Sequence, residues 1–399
     1  MTRSKPVCLL VAIMLGAILV AQPGAAESQQ PARKQAALSR SQDAFPRLKE
    51  RLESQGATGR FSGGVLVAKG DQVLLRSVYG MANHARSQPL TTSSRFRLAS
   101  LSKQFTAAAI LRLQDRGVLT TSDPVCKWVQ PCPKAWEQMR LKHLLAHQSG
   151  IVDLMARPDW GKARWTPTTP AQLTQGSAAL DLKFQPGTRS AYNNTGFNLA
   201  GVVVENAARM PFHSFLKREF FAPLGMSDTG YENGEVPHLA MGYANLAEGL
   251  TPQPRSNASV VFAAGGLYST LDDMFRWQRA LHGGKVLSAA SYAEMIADHD
   301  GKGTAIPSDG IPRRWGYGLF TAQLGLHVQP AFAAPQIFHT GSWAGFRNLV
   351  SYQPEADITV VVLSNNFHQQ DAVFLIVQQA MAEALGLPFV QTYTPKKKN

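Results

Sequence analysis

The sequence predicts an α+β fold in two lobes: one antiparallel sheet built from both chain ends, flanked by N- and C-terminal helices, with a mainly helical lobe inserted between. Three observations predict it. Strand-like runs (GGVLVAKG, QVLLRSVYG) stand near the start and return in the last third (WGYGLF, QIFHTG, FRNLVSYQP, DITVVVLSN). The stretch from about Ala99 to Ile296 is mainly helical, punctuated at Pro124, Pro131, Pro186, Pro223 and the Gly265–Gly266 pair. No Gly/Ser-rich or Pro-rich linker divides the chain, so its length reads as one unit with two lobes.

In chain order, Arg3 and Lys5 precede an apolar run from Val7 to Val20 and the small-residue exit ending at Ala26. That is the pattern of a secretory signal, residues 1–26, and implies a periplasmic or secreted protein. The run is shorter than the roughly 18–20 apolar residues of a membrane span, and no later segment approaches that length, so no integral membrane domain is expected after cleavage. Cys8 leaves with the signal. Residues 27–58 form an N-terminal helical segment, with helical spacing across Leu38–Leu52 that includes Phe45 and Leu48. Gly70 and Asp71 join the first two strands as a hairpin. The main unit spans 59–390 and closes with the amphipathic stretch HQQDAVFLIVQQAMAEAL, and 391–399 is a basic tail.

The formal charge is +13; removing Arg3 and Lys5 leaves +11, of which three belong to Lys396, Lys397 and Lys398. The other cations are scattered, with no arginine-rich helix or aromatic-interleaved patch, which argues against nucleic acid as a partner. Cys126 and Cys132 remain after cleavage, in DPVCKWVQPCPKAW, and in an oxidising compartment they are expected to close a small structural disulfide. They have no nearby histidine cluster. His143 and His147 are four apart, but Leu144, Leu145 and Ala146 between them leave out the glutamate of a zinc hydrolase, so no metal or other cofactor is expected. Nor does a G-x-S-x-G turn follow any strand, which disfavours an α/β-hydrolase.

Three segments carry chemistry. In RLASLSKQFTAAAILRLQDRG a helix begins at Ser100, and Lys103 lies one turn further on the same face. A serine hydroxyl is a weak nucleophile, and an amine desolvated beside it can lose its charge and accept the proton. In FQPGTRSAYNNTGFNLAG, Tyr192 and Asn194 present a phenol and an amide; a tyrosine beside a cationic lysine should have its phenolate favoured, which suits a general base. In IFHTGSWAGFRNLV, a strand carries His339, Thr340 and Gly341 into Ser342, where glycine admits a close backbone approach and free N–H groups can grip an acyl group. Each pattern has decoys: Ser214 with Lys217, Tyr231 with Asn233, and Tyr243 with Asn245 share the spacings.

Together the three segments resemble the class C β-lactamase family, which also contains penicillin-binding-protein-like esterases and D-amino-acid peptidases. The resemblance extends in order through HLLAHQSGI (143–151), FFAPLGMSDTGY (220–231) and AAGGLYSTLDDMFRW (263–277), covering about 59 to 386. It sets the decoys aside by position. It implies that Ser100 is the nucleophile, Lys103 and Tyr192 share the base role, Asn194, His339, Thr340 and Gly341 contact substrate, and the backbone N–H groups of Ser100 and Ser342 form an oxyanion hole. The implied activity is hydrolysis of an ester or amide, such as a short-chain ester or D-amino-acid peptide, through an acyl-enzyme. A β-lactamase or DD-carboxypeptidase is the alternative use of that chemistry, and a non-catalytic muropeptide or β-lactam sensor the alternative of another kind. Where a β-lactamase of the family has lysine in the third segment, this chain has His339, mostly neutral at pH 7, which weakens the fixed positive partner for a penicillin carboxylate.

Overall fold

The computed structural model describes residues 45–300, 312–325 and 328–391; the signal segment, Cys8, residues 38–44 and the lysine tail lie outside them. The first described helix, α1 (Pro46–Ala57), starts at a proline whose fixed φ suits the first helical turn, and it runs past the expected end at Leu52. It buries Leu48 and Leu52.

Strands β1 (Gly63–Lys69) and β2 (Gln72–Tyr79) form the expected hairpin, turning at Gly70 with φ 56. The inserted lobe holds α2 (Ser102–Asp115), α3 (Asn194–Ala208) and α4 (Leu271–His282). The chain then returns through β3 (Arg314–Trp315), β4 (Phe320–Ala322), β5 (Gln336–Trp343), β6 (Phe346–Gln353) and β7 (Ile358–Ser364), and closes with α5 (Gln370–Ala384). The seven strands form one antiparallel sheet in the order β3-β4-β5-β6-β7-β1-β2. β1 pairs with β7, Val65 opposite Val362, so the two ends of the chain meet in mid-sheet.

The strands are apolar without alternation because both faces are covered. Val65, Val67, Val360 and Val362 face a layer shared with α1 and α5. Leu66, Ala68, Val361 and Leu363 face the helical lobe, packing with Phe105, Ile110 and Trp277. Each such valine or leucine contributes roughly 1.5–3 kcal/mol of burial, so a polar residue on either face would break the sandwich.

Two expectations change in detail. WGYGLF is not one strand but β3, a turn and β4; Gly318 in the turn has φ 65, and a Cβ there would lie 2.6 Å from the Lys103 carbonyl oxygen. The turn therefore seats against the first turn of α2. The inserted lobe is also not wholly helical: Phe96–Arg97, Leu267–Ser269 and Gly230–Tyr231 form a small sheet, and Tyr243–Leu246 pairs with Gly249–Pro252. The decoy tyrosines serve this scaffold. The Tyr243 hydroxyl accepts the His84 N–H at 2.8 Å, and Tyr231 packs edge-on against Phe262. Cys126 and Cys132 have Cα atoms 5.3 Å apart, within disulfide reach. No helix among the described residues is long and apolar enough to cross a membrane.

Candidate active site

Ser100 lies in a short 3-10 turn, Ala99–Leu101, that runs directly into α2. Ala99 before it takes φ 52, a left-handed conformation that a side chain adopts at a cost and that persists only where neighbours enforce it. The enforcement comes from both directions. Upstream, Arg97 makes a bidentate pair with Glu232, both bonds 2.7 Å and buried, and donates to the Ser256 carbonyl at 3.1 Å. Across the sheet, Asn348 of β6 donates to the carbonyls of Arg97 at 2.9 Å and Leu98 at 3.2 Å.

Gly341 completes the clamp. It pairs with Asn348, and a Cβ at this position would lie 2.2 Å from the Leu98 carbonyl oxygen. The close approach that a glycine in this strand admits is thus made by the Ser100 turn itself. β4 pairs only with Gln336–Phe338, so on that side the β5 backbone from His339 to Trp343 has no strand partner among the described residues.

Lys103 is the centre of the site. It is 0% exposed, and its Nζ lies 3.1 Å from Ser100 Oγ, 2.8 Å from Asn194 Oδ1 and 3.0 Å from the Ala264 carbonyl oxygen. Tyr192 and Phe197 present ring faces to it at 4.9 and 5.6 Å. Burial lowers its pKa to about 7, against a smaller opposing pull from Asp153. The Ala264 carbonyl is held in place from both helices: Thr106 of α2 donates to Ala263 O at 2.6 Å, and Asn198 of α3 accepts the Ala264 N–H at 3.1 Å.

Tyr192 and Asn194 straddle the start of α3, where Asn193 caps the helix by accepting the Gly196 N–H at 2.7 Å. Both partners of the pair converge on Lys103. Asp153 was not singled out from the sequence, yet it fixes the asparagine: its Oδ2 accepts the Asn194 backbone N–H at 2.5 Å and Nδ2 at 3.1 Å, which leaves Oδ1 for the lysine. Its only sequence signal is its place just past HLLAHQSGI.

The expected phenolate is corrected here. Tyr192 is 38% exposed as a residue, but its hydroxyl is buried beside Ser100. Burial pushes its pKa well above the ordinary value of 10.0, and Asp153 pushes the same way, outweighing the lowering effect of Ser100. A lysine whose own charge is suppressed supplies little cationic pull. Behind the phenol ring stacks His147, ring centres 4.5 Å apart, with its Nδ1 accepting the Asn193 N–H at 2.9 Å. Burial, then Lys103 and His339, hold His147 neutral.

His339 also departs from its expected place in contact with substrate. It is 1% exposed, stacked on Phe320 at 4.9 Å, and donates from Nδ1 to the Thr340 carbonyl at 2.6 Å. Burial lowers its pKa to about 3, followed by the effect of Lys103, so the uncharged ring packs into the aromatic layer below the cleft. Thr340 and Ser342, which alternate with it along β5, are half-buried.

The Beta-lactamase family model matches residues 48–382. The chain belongs to that family. Penicillin-binding protein 4* of Bacillus subtilis (strain 168) is 28% identical over 371 residues, which is 88% of this chain and 78% of the relative. Esterase EstB of Burkholderia gladioli is 27% identical, over 76% of this chain and 86% of the esterase. D-aminopeptidase of Gluconobacter oxydans is 28% identical over 82% of this chain but only 59% of its own length. The solved D-amino acid amidase from Ochrobactrum anthropi SV3 complexed with D-phenylalanine shares the fold, with a TM-score of 0.72 at 24% identity over 85% of this chain and 98% of the amidase. This β-lactamase-family chain is an enzyme of the hydrolase class, on the α+β fold that its sequence predicts.

Proposed function

We propose that the protein is an exported serine hydrolase that cleaves an ester or amide through an acyl-enzyme on Ser100. The observation that carries this reading is the buried Lys103 amine, 3.1 Å from Ser100 Oγ with its pKa lowered to about 7. A neutral amine has two N–H donors and one lone pair. Asn194 Oδ1 and the Ala264 carbonyl are acceptors only, at 2.8 and 3.0 Å, so they take the two donors and turn the lone pair toward the Ser100 hydroxyl.

Lys103 then accepts the Ser100 proton as Oγ bonds to the substrate carbonyl carbon, and the carbonyl electron pair moves to oxygen. The backbone N–H groups of Ser100 and Ser342 are the proposed donors to that oxyanion. As the tetrahedral species collapses, Tyr192, a phenol beside Ser100, gives its proton to the departing oxygen or nitrogen and is reprotonated from Lys103. Water repeats the sequence on the acyl-enzyme. Tyr192 is thus a proton relay and Lys103 the base, a division favoured by one burial that lowers the amine and raises the phenol.

A short-chain ester or D-amino-acid peptide fits better than a β-lactam. The third-segment residue that would hold a penicillin carboxylate is a buried, neutral imidazole. Export rests on the signal pattern of residues 1–26 and on Cys126 and Cys132 lying within bonding reach for an oxidising compartment. The test is intact mass after a fluorophosphonate, beside hydrolysis of p-nitrophenyl butyrate. Native protein should gain one adduct and turn the ester over, and Ser100→Ala should do neither. An adduct on Ser100→Ala would refute the assignment, and rapid turnover of a penicillin adduct would make β-lactam hydrolysis the primary activity.

A further inference from the structure

The period-two alternation of β5 puts His339, Gly341 and Trp343 on one face, the face turned toward the Ser100 turn. Gly341 lies directly over that turn. His339 reaches the Tyr192 side, their ring centres 6.4 Å apart. Trp343 extends the other way, packing with Ala99, the residue before Ser100, and with Val260 and Val261. The two ends of the cleft are therefore chemically different. In the proposed mechanism the leaving group takes its proton from the Lys103–Tyr192 side, which leaves the Trp343 end for the acyl chain.

That end has an unmet hydrogen-bonding capacity. Trp343 is only 7% exposed, yet its Nε1–H has no partner. Arg164 lies over the same indole, its guanidinium carbon 5.5 Å from the Trp343 ring and 4.7 Å from Trp165, and its buried Nε–H is also without a partner. Among the described residues no carboxylate pairs with Arg164, whereas Arg157 pairs with Asp159 and Arg255 with Glu232. Trp160 closes the wall, 5.5 Å from the Trp343 ring. The Arg164 backbone carbonyl accepts the Asn257 N–H at 3.2 Å, which ties its segment to the one that carries Val260 and Val261. A buried donor left empty costs about 1–3 kcal/mol, and two such donors beside a cation favour an anionic acceptor over a neutral one.

We infer that Trp343 and Arg164 form an acyl-side subsite that takes a carboxylate carried by the acyl group of the substrate. This rests on the acyl-enzyme reading above. The planar guanidinium grips the carboxylate, the indole N–H adds a second donor, and Trp160 covers the methylenes between the carboxylate and the reacting carbonyl. The substrate class is an acyl donor with an acidic group a few carbons from the scissile bond, such as a dicarboxylic half-ester or an acidic side chain in a D-amino-acid peptide.

The experiment compares kcat/KM for mono-p-nitrophenyl glutarate and p-nitrophenyl valerate, which match in chain length and leaving group and differ in the terminal carboxylate. Native protein should favour the glutarate ester by about tenfold or more, the scale of one charge-assisted contact. Arg164→Gln should bring the ratio close to one, Arg164→Lys should restore part of it, and raising the salt concentration should reduce it in the native protein. Trp343→Phe keeps the ring and removes only the N–H, and should lower the ratio less than Arg164→Gln. A native ratio of one or below, or a ratio unchanged in Arg164→Gln, overturns the inference. If neither ester is turned over while Ser100 still takes up a fluorophosphonate, the subsite is refuted and the acyl-enzyme reading stands. Absence of the Ser100 adduct would refute that reading itself.

Discussion

Replacing Lys103 by methionine should remove a rise of stability with pH that the native protein shows between pH 7 and 9. The amine is fully buried, and its pKa falls from the ordinary 10.5 to about 7. The sign follows from proton binding: between these values the unfolded chain holds a proton that the folded chain has lost, so stability rises with pH across that window. Below about 7 the full penalty applies. At pH 7 it is about 4 kcal/mol, and raising the pH to 9 recovers about 2 kcal/mol of it. Methionine has nearly the same length and no charge. It leaves Asn194 Oδ1 and the Ala264 carbonyl without their lysine donor, at about 1.5 kcal/mol each. These lost contacts do not depend on pH, so relative to native Lys103→Met should be more stable at pH 7 than at pH 9, by about 2 kcal/mol. Urea unfolding at the two pH values measures this directly. His147 and His339 are neutral throughout the window and do not contribute. Native and variant stabilities that stay parallel from pH 7 to 9 would refute a depressed amine at this position. The same variant should lose at least about a hundredfold in kcat.

Two other outcomes follow from the site geometry. The native kcat/KM should rise with pH through about 7 as Lys103 becomes neutral; in Asp153→Asn, which removes the carboxylate that holds this pKa up, the midpoint should move to lower pH in a pH–rate profile. Gly341→Ala should displace the Ser100 turn, because its Cβ would meet the Leu98 carbonyl at 2.2 Å; the expected result is a lower melting temperature together with loss of fluorophosphonate labelling, whereas native-like labelling would show that the turn can yield.

What was legible in the sequence divides along locality. Ser100 and Lys103 are three apart, in a 3-10 turn and the helix that continues it, so local geometry alone brings them together. The strands at both ends were legible for a similar reason, since β1 and β7 are apolar on both faces and their pairing needs only that each run be long enough. Asp153 was not legible. It sits in a loop 41 residues from the asparagine it orients, and an aspartate there carries no pattern of its own. The split of WGYGLF into two strands likewise depends on a backbone elsewhere, the Lys103 carbonyl against Gly318.

The tyrosine shows why a correct residue can still be assigned the wrong protonation state. Proximity to a lysine favours a phenolate only if the lysine is charged, and that depends on solvent exclusion, which no spacing reveals. Once α2, α3 and the 263–266 segment close over Lys103, the same exclusion acts on both groups with opposite signs, discharging the amine and keeping the phenol protonated. Base and acid are therefore set apart by one property of the fold, and a change that admitted water beneath Lys103 would bring both back toward their ordinary values together, costing the site its base and leaving the proton donor in place.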